Sequence, residues 1–137
     1  MAWNIQPSSE EIAFLMEAGI IYRDARRFAE ADEVFRGVRA LIPRSEVPEV
    51  ALGTVRFALG ELQKAVAHYE KALKLNPDSA FAHAQLGEAH VFRKDRAAAK
   101  KHLDEAIRLD SRGATGAHAR TLMELLNKMV PVAGSRS

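Results

Sequence analysis

The sequence predicts an all-α fold in which three similar helical units stack in one array and a further C-terminal helix closes it. Three observations support this prediction. Key residues recur at a spacing of 34 in the 137-residue chain, which is typical of repeat architectures. Within each segment the apolar residues follow the 3.6-residue period of an amphipathic helix. Serine, glycine and proline stand where such helices would begin or end.

The 34-residue spacing appears in several columns of the sequence. They are Gly19, Gly53 and Gly87; Ala31, Ala65 and Ala99; Phe35, Tyr69 and Leu103; Leu41, Leu75 and Leu109; and Pro43, Pro77 and Ser111. Glycine costs a helix about 1 kcal/mol relative to alanine. Its recurrence in one column therefore predicts a close approach between two helices at each of these positions.

Local signals place the individual helices. Ser8 and Glu11 form a capping-box pattern before a first helix that ends near Asp24. The third helix lies between a capping Ser45 and a terminating Gly60. The other helices are predicted at about residues 28–41, 62–75, 80–92, 96–109 and 115–130. The last of them lacks the glycine column and is predicted to cover the end of the array, because such arrays need a capping element for solubility.

Period and columns together resemble the tetratricopeptide repeat, a helix-turn-helix unit. The resemblance covers roughly residues 12 to 111. It implies a right-handed α-solenoid of three units within residues 10–111, at about 12–45, 46–79 and 80–113. An N-terminal segment (1–9), a capping helix (114–130) and a disordered tail (131–137) complete the predicted organisation. The sequence departs from the family pattern at positions where large packing residues are expected: Glu49, Arg56, His83 and His90.

Composition excludes several classes of function. The 20 basic and 18 acidic residues give a net charge of +2, which is an ordinary solvated surface and no indication of nucleic-acid binding. The absence of cysteine excludes disulfides and thiolate sites. No secretory signal and no apolar run of the roughly 18 residues that span a bilayer occur. We therefore expect a cytoplasmic protein without a membrane span. Trp3 and Ile5 are expected either to pack on the first helix or lie in the groove, or to belong to a frayed end.

Residues that could carry chemistry are few. His83 and His90 are separated by about 10.5 Å along a helix, too far to share one zinc ion, and are expected to pack between helices. No phosphate-binding loop, metalloprotease motif or nucleophile elbow is present. The sequence therefore predicts no enzymatic activity, no cofactor and no metal. The basic residues near the first and third predicted turns are interpreted as a solvated edge in preference to a site for an acidic partner: Arg23, Arg26, Arg27, Arg93, Lys94, Arg96, Lys100 and Lys101.

In proteins that the chain resembles, the first helix of each unit lines a groove that binds peptides. The corresponding positions predict a mostly apolar groove lined by Met16, Ile20, Val47, Val50, Thr54, Phe57, Phe81, Ala84, Glu88 and Val91. Some family members clamp the C-terminal carboxylate of heat-shock chaperones with cationic groove residues. Here those positions hold Met16, Ile20, Ala51, Phe81 and Gln85, so this clamp is expected to be absent.

An apolar groove suits an amphipathic helix or an extended apolar segment, and Phe57 and Phe81 are the expected anchors. We therefore predict a non-enzymatic scaffold that binds a protein or peptide partner. Two alternatives remain open. The chain is also similar to the small repeat chaperones of bacterial type III secretion, which implies a cytoplasmic chaperone for a secretion substrate. It could equally be an assembly protein whose groove is closed by the N-terminal segment, by the last helix, or by a second copy in a homodimer.

Overall fold

The computed structural model describes residues 6–129. Seven α-helices and no strand occur in this part of the chain, which confirms the predicted all-α class. The helices are α1 (Ser9–Asp24), α2 (Phe28–Leu41), α3 (Val47–Ala58), α4 (Leu62–Leu75), α5 (Ala80–Phe92), α6 (Arg96–Leu109) and α7 (Ala114–Lys128). The predictions for Trp3, Ile5 and the tail at residues 131–137 lie outside the described residues.

Side-chain caps mark the start of three of the described helices, α1, α5 and α6. The Ser8 Oγ accepts the backbone N–H of Glu11 at 3.1 Å, and the Glu11 carboxylate accepts the N–H of Ser8 at 2.9 Å, so the predicted capping box is present. The cap of α3 differs from the prediction because Glu46, and not Ser45, is the residue that precedes the helix. The Ser45 Oγ still accepts the N–H of Val47 at 3.2 Å.

The hairpins α1–α2, α3–α4 and α5–α6 are closed by turns of one type. Each turn has a residue in the left-handed region: Arg26 (φ 62°), Gly60 (φ 79°) and Lys94 (φ 63°). In the second turn the N–H of Glu61 donates to the carbonyl of Arg56 at 2.9 Å, and the other two turns have the equivalent bond. This is the Schellman motif, which usually places glycine at the left-handed position. Of these three turns, only the one at Gly60 therefore has the residue that predicts a helix end from the sequence.

The glycine column marks the closest approach of the two helices in each hairpin. A Cβ atom added to Gly53 would overlap the ring of Tyr69, which is fully buried. The same relation holds in all three hairpins, for the pairs Gly19–Phe35, Gly53–Tyr69 and Gly87–Leu103. The predicted close approach is confirmed. In each hairpin the glycine of the first helix contacts the large residue of the second helix that recurs at the same spacing.

The described residues form two compact units. Unit 1 ends at Pro77 and contains α1 to α4, and unit 2 begins at Asp78 and contains α5 to α7. In unit 2, α7 packs against both α5 and α6 and contributes Leu122 and Leu126 to the buried core. Leu125 lies at the edge of this contact and is half-exposed. The predicted covering role of the last helix is therefore fulfilled within unit 2.

We predict that Gly53→Ala lowers the free energy of unfolding by about 1–3 kcal/mol, because the Tyr69 ring must move away from the new methyl group. Gly37→Ala is the matched control, since a Cβ at this exposed helical position meets no atom within 4 Å. The control should gain up to about 1 kcal/mol from helix propensity. Urea denaturation followed by circular dichroism measures both changes. Equal stability of the two variants would contradict the close-approach interpretation.

We also predict that Leu126→Ala lowers the free energy of unfolding by about 2–5 kcal/mol, because it leaves a cavity in the core of unit 2. Leu125→Ala, one residue earlier on the half-exposed edge of α7, should cost less than about 1 kcal/mol. The same denaturation experiment compares the two. If Leu125→Ala lowered the free energy of unfolding as much as Leu126→Ala, α7 would have to pack through a different face.

Candidate partner-binding faces

The predicted groove residues of α1 and α3 occur at helical spacings of three and four, so those on each helix share one side of it. Ile20 and Val47 are exposed, at 38% and 37% of their full accessible surface. Met16, Thr54 and Phe57 are half-buried. Val50 is fully buried and does not reach the surface. We call the remaining set the α1–α3 face: Met16, Ile20, Val47, Thr54 and Phe57.

A polar contact joins the two helices of this face. The Arg23 guanidinium donates through Nη1 to the Thr54 Oγ1 at 2.8 Å, and the Thr54 hydroxyl donates to the carbonyl of Ala51 at 2.7 Å. Arg23 also contacts the Asp24 carboxylate at 3.1 Å. The Thr54 hydroxyl is therefore used to hold α1 against α3, and the other side chains of the face are apolar.

In unit 2 the predicted groove positions on α5 are partly covered. Ala84 and Val91 are buried in the core that α7 completes, so the last helix occupies the surface at which they were predicted to meet a partner. Phe81 remains exposed beside an open pocket of about 200 Å³ that Gln85 also lines. Glu88 is half-buried, and its carboxylate lies 3.8 Å from the His118 Nε2 on α7.

The departures from the repeat pattern in the second hairpin, Glu49 and Arg56, each lie in a cluster of charged side chains. The side chain of Glu49 is only 1% exposed, and its carboxylate contacts the Arg39 Nη1 at 3.2 Å, the His68 Nδ1 at 2.6 Å and the Lys71 Nζ at 3.6 Å. Burial raises the pKa of the Glu49 carboxyl, but the hydrogen bonds from His68 and Arg39 and the charge of Lys71 outweigh it, so the pKa lies below its usual value. Arg56 is held by Asp32 at 2.8 Å and Glu61 at 3.0 Å.

The departures in the third hairpin form a stack of three imidazoles. The His102 ring on α6 lies between His83 and His90 of α5, with ring centroids 5.3 Å and 5.9 Å away. The His83 Nδ1 and His102 Nδ1 are 3.0 Å apart, which is a hydrogen bond when only one of the two nitrogens carries a proton. Burial, together with repulsion from His83 and His90 whenever those rings carry a proton, lowers the pKa of His102 to about 4.

Sequence reasoning missed the partners of these histidines. Glu49 contacts His68, and His83 contacts His102, so both pairs are 19 residues apart and occupy equivalent places in successive hairpins. A comparison of residues across one hairpin in two repeats would have found them. Within residues 6–129 no group of three or more His, Asp or Glu side chains is arranged to hold a metal ion. Over the same range, no helix combines the length and apolarity required to cross a bilayer.

Family comparisons agree with this architecture. A family model described as "TPR repeat" matches residues 53–91, and a second, described as "Tetratricopeptide repeat", matches residues 82–112. Residues 53–112 carry tetratricopeptide repeats. The predicted fold class, three helix-turn-helix repeats of this family and a C-terminal helix, is thereby confirmed. No curated protein sequence matches the chain.

Solved structures with low sequence identity share the fold. PcrH from Pseudomonas aeruginosa is 19% identical, with a TM-score of 0.74 over 93% of this chain and 99% of its own. The Yersinia enterocolitica type III secretion chaperone SycD, in complex with a peptide of the translocator YopD, is 17% identical, with a TM-score of 0.71 over 88% and 95%. The first repeat domain of Spaghetti (RPAP3), bound to the HSP90 peptide SRMEEVD, is 20% identical, with a TM-score of 0.69 over 90% and 99%.

We predict that acid destabilises the fold through His102. Its pKa is 6.5 when unperturbed and about 4 in the folded protein. Between these values the unfolded chain takes up a proton that the folded protein excludes, so the free energy of unfolding falls as the pH drops from about 6.5 to about 4. Lys101 adds to the lowering and Glu105 opposes it.

Urea denaturation at several pH values tests this prediction. His102→Gln should reduce the slope of unfolding free energy against pH in this window. Leu125→Ala serves as a control, because it alters the same unit without removing a titrating group. An unchanged slope in His102→Gln would contradict the role assigned to this histidine.

Proposed function

We propose that the chain is a non-enzymatic protein-interaction module that binds an apolar or amphipathic segment of a partner protein on the α1–α3 face. The observation that carries the proposal is the exposure of Ile20 and Val47, on the same helices as the half-buried Met16 and Phe57, at the positions that correspond to the family's peptide groove. Exposed apolar side chains on neighbouring helices suit the apolar side of a helical or extended segment.

The comparisons support peptide binding and leave the partner open. RPAP3 and SycD, which share the fold, were both solved with a bound peptide. The α1–α3 face has Met16 and Ile20 where a carboxylate clamp would place cations. We therefore assign the face to an apolar segment, and not to a terminal carboxylate of the kind that ends SRMEEVD. The likeness in fold to PcrH and SycD favours a secretion chaperone as the second candidate, which would use the same face for its substrate.

A random peptide library tests the proposal even though the partner protein is unidentified. Peptides selected on the wild-type protein should be enriched in apolar residues at helical or alternating spacing. Phe57→Ala should weaken the best peptide at least about tenfold, because aromatic anchors dominate such interfaces. Phe14→Ala is the matched control: Phe14 is an exposed aromatic residue of α1 outside the face, and its removal should change the dissociation constant less than about twofold.

Three outcomes would overturn the proposal. The first is that the library yields no apolar peptides, and the second is that Phe14→Ala weakens binding as much as Phe57→Ala. The third would come from sedimentation: a wild-type dimer that becomes a monomer in Phe57→Ala would assign the face to self-association. Circular dichroism verifies that each variant keeps its helical content.

A further inference from the structure

A positively charged cleft lies on unit 1, away from the α1–α3 face. Helices α2 and α4 form its walls and α3 forms its floor, and the cleft, which is open to solvent, has a volume of about 450 Å³. Sites for bound ligands commonly measure about 300–1,000 Å³. Five cationic side chains line the cleft: Arg36, Arg39, Arg56, Lys64 and Lys71.

Two carboxylates lie deep in the cleft, and cations already surround both. Asp32 contacts Arg36 and Arg56, each at 2.8 Å. Glu49, which is almost completely buried, contacts Arg39, Lys71 and His68. The five lining cations exceed the two lining carboxylates by three charges, and the Glu61 carboxylate, which contacts Arg56 and Lys64 beside the cleft, lowers this excess to two. The positive excess of this one cleft therefore equals the net charge of +2 that the whole 137-residue chain carries.

The excess charge lies at the rim. The side chains of Arg36, Lys64 and Lys71 are 60%, 68% and 63% exposed, on opposite walls of the cleft. The pair of Lys64 with the partly exposed Glu61 is a weak competitor for a ligand, because ion pairs of exposed side chains contribute little. Arg36 and Lys71 contact the largely buried carboxylates of Asp32 and Glu49, which have Arg56 and Arg39 as further partners. Lys64 contacts Glu61 at 3.3 Å and Lys71 contacts Glu49 at 3.6 Å. A ligand anion can therefore engage these cations without disrupting the buried floor.

We infer that this cleft binds an acidic segment of a partner protein, with side-chain carboxylates between the rim cations of α2 and α4. Guanidinium and ammonium groups are the donors that pair with carboxylates. A nucleic acid fits less well, because single strands usually stack their bases on aromatic rings and none of the described residues lining the cleft is Phe, Tyr or Trp. This inference is independent of the proposed apolar site, since it uses different helix surfaces.

Fluorescence anisotropy with a labelled octa-glutamate peptide tests the inference at about 50 mM salt, where surface charges are weakly screened. The triple variant Arg36→Gln, Lys64→Gln, Lys71→Gln removes the three exposed cations of the cleft. Each buried carboxylate keeps a guanidinium partner, Arg56 on Asp32 and Arg39 on Glu49. We expect it to bind the peptide at least about tenfold more weakly than the wild type. The matched control is Arg93→Gln, Lys100→Gln, Lys101→Gln, which removes the same number of exposed charges from unit 2. It should bind within about twofold of the wild type.

A second measurement needs no variant. In NMR spectra of the wild-type protein, octa-glutamate should shift amide signals of residues 32–39 and 64–71 more than those of residues 93–101. The inference is overturned if the wild type does not bind the peptide, if both triple variants lose affinity equally, or if the shifts concentrate at residues 93–101. An oligothymidine of equal length that binds the cleft more tightly than the peptide would also overturn it and assign the cleft to nucleic acid.

Discussion

The contact between a glycine of the first helix and a large side chain of the second determines the geometry of every hairpin. No side chain stands between the two helices at Gly53, so the Tyr69 ring packs directly against the α3 backbone. A denser core then compensates for the helix propensity that glycine loses. Because this contact fixes the spacing of the two helices, their other side chains meet at defined positions. Charged side chains are among them.

The fixed spacing of the helices determines which partners the polar residues that break the repeat pattern can contact. Equivalent places in the second and third hairpins hold Glu49 with His68 and His83 with His102, where the first hairpin has Leu15 and Val34 in the sequence. A carboxylate buried without partners would be strongly unfavourable, and Glu49 is retained because three basic side chains surround it. The same substitutions in the second hairpin supply the floor of the charged cleft. A change in packing residues has thus created a polar surface feature.

Sequence signals that depend only on neighbouring residues predicted much of the fold. The ends of α2, α4, α5 and α6 coincide with the predicted residues, because each is determined by signals within a few positions of the boundary. The turns were harder to predict, because Arg26 and Lys94 adopt a left-handed backbone conformation that sequence rules associate with glycine. The groove positions were the least predictable part of the site. Ala84 and Val91 are removed from the surface by α7, and a repeat pattern within one hairpin contains no information about a helix that follows it.

The packing of α7 also bears on how the protein is made. The apolar side chains of α5 and α6 that face Leu122 and Leu126 stay uncovered until α7 has left the ribosome, which at ordinary rates of synthesis takes about one to a few seconds more. Unit 1 contains its own four helices and can bury its core during this interval. The nascent third hairpin is therefore the segment most exposed to aggregation during synthesis, and the one for which a holding chaperone would matter most.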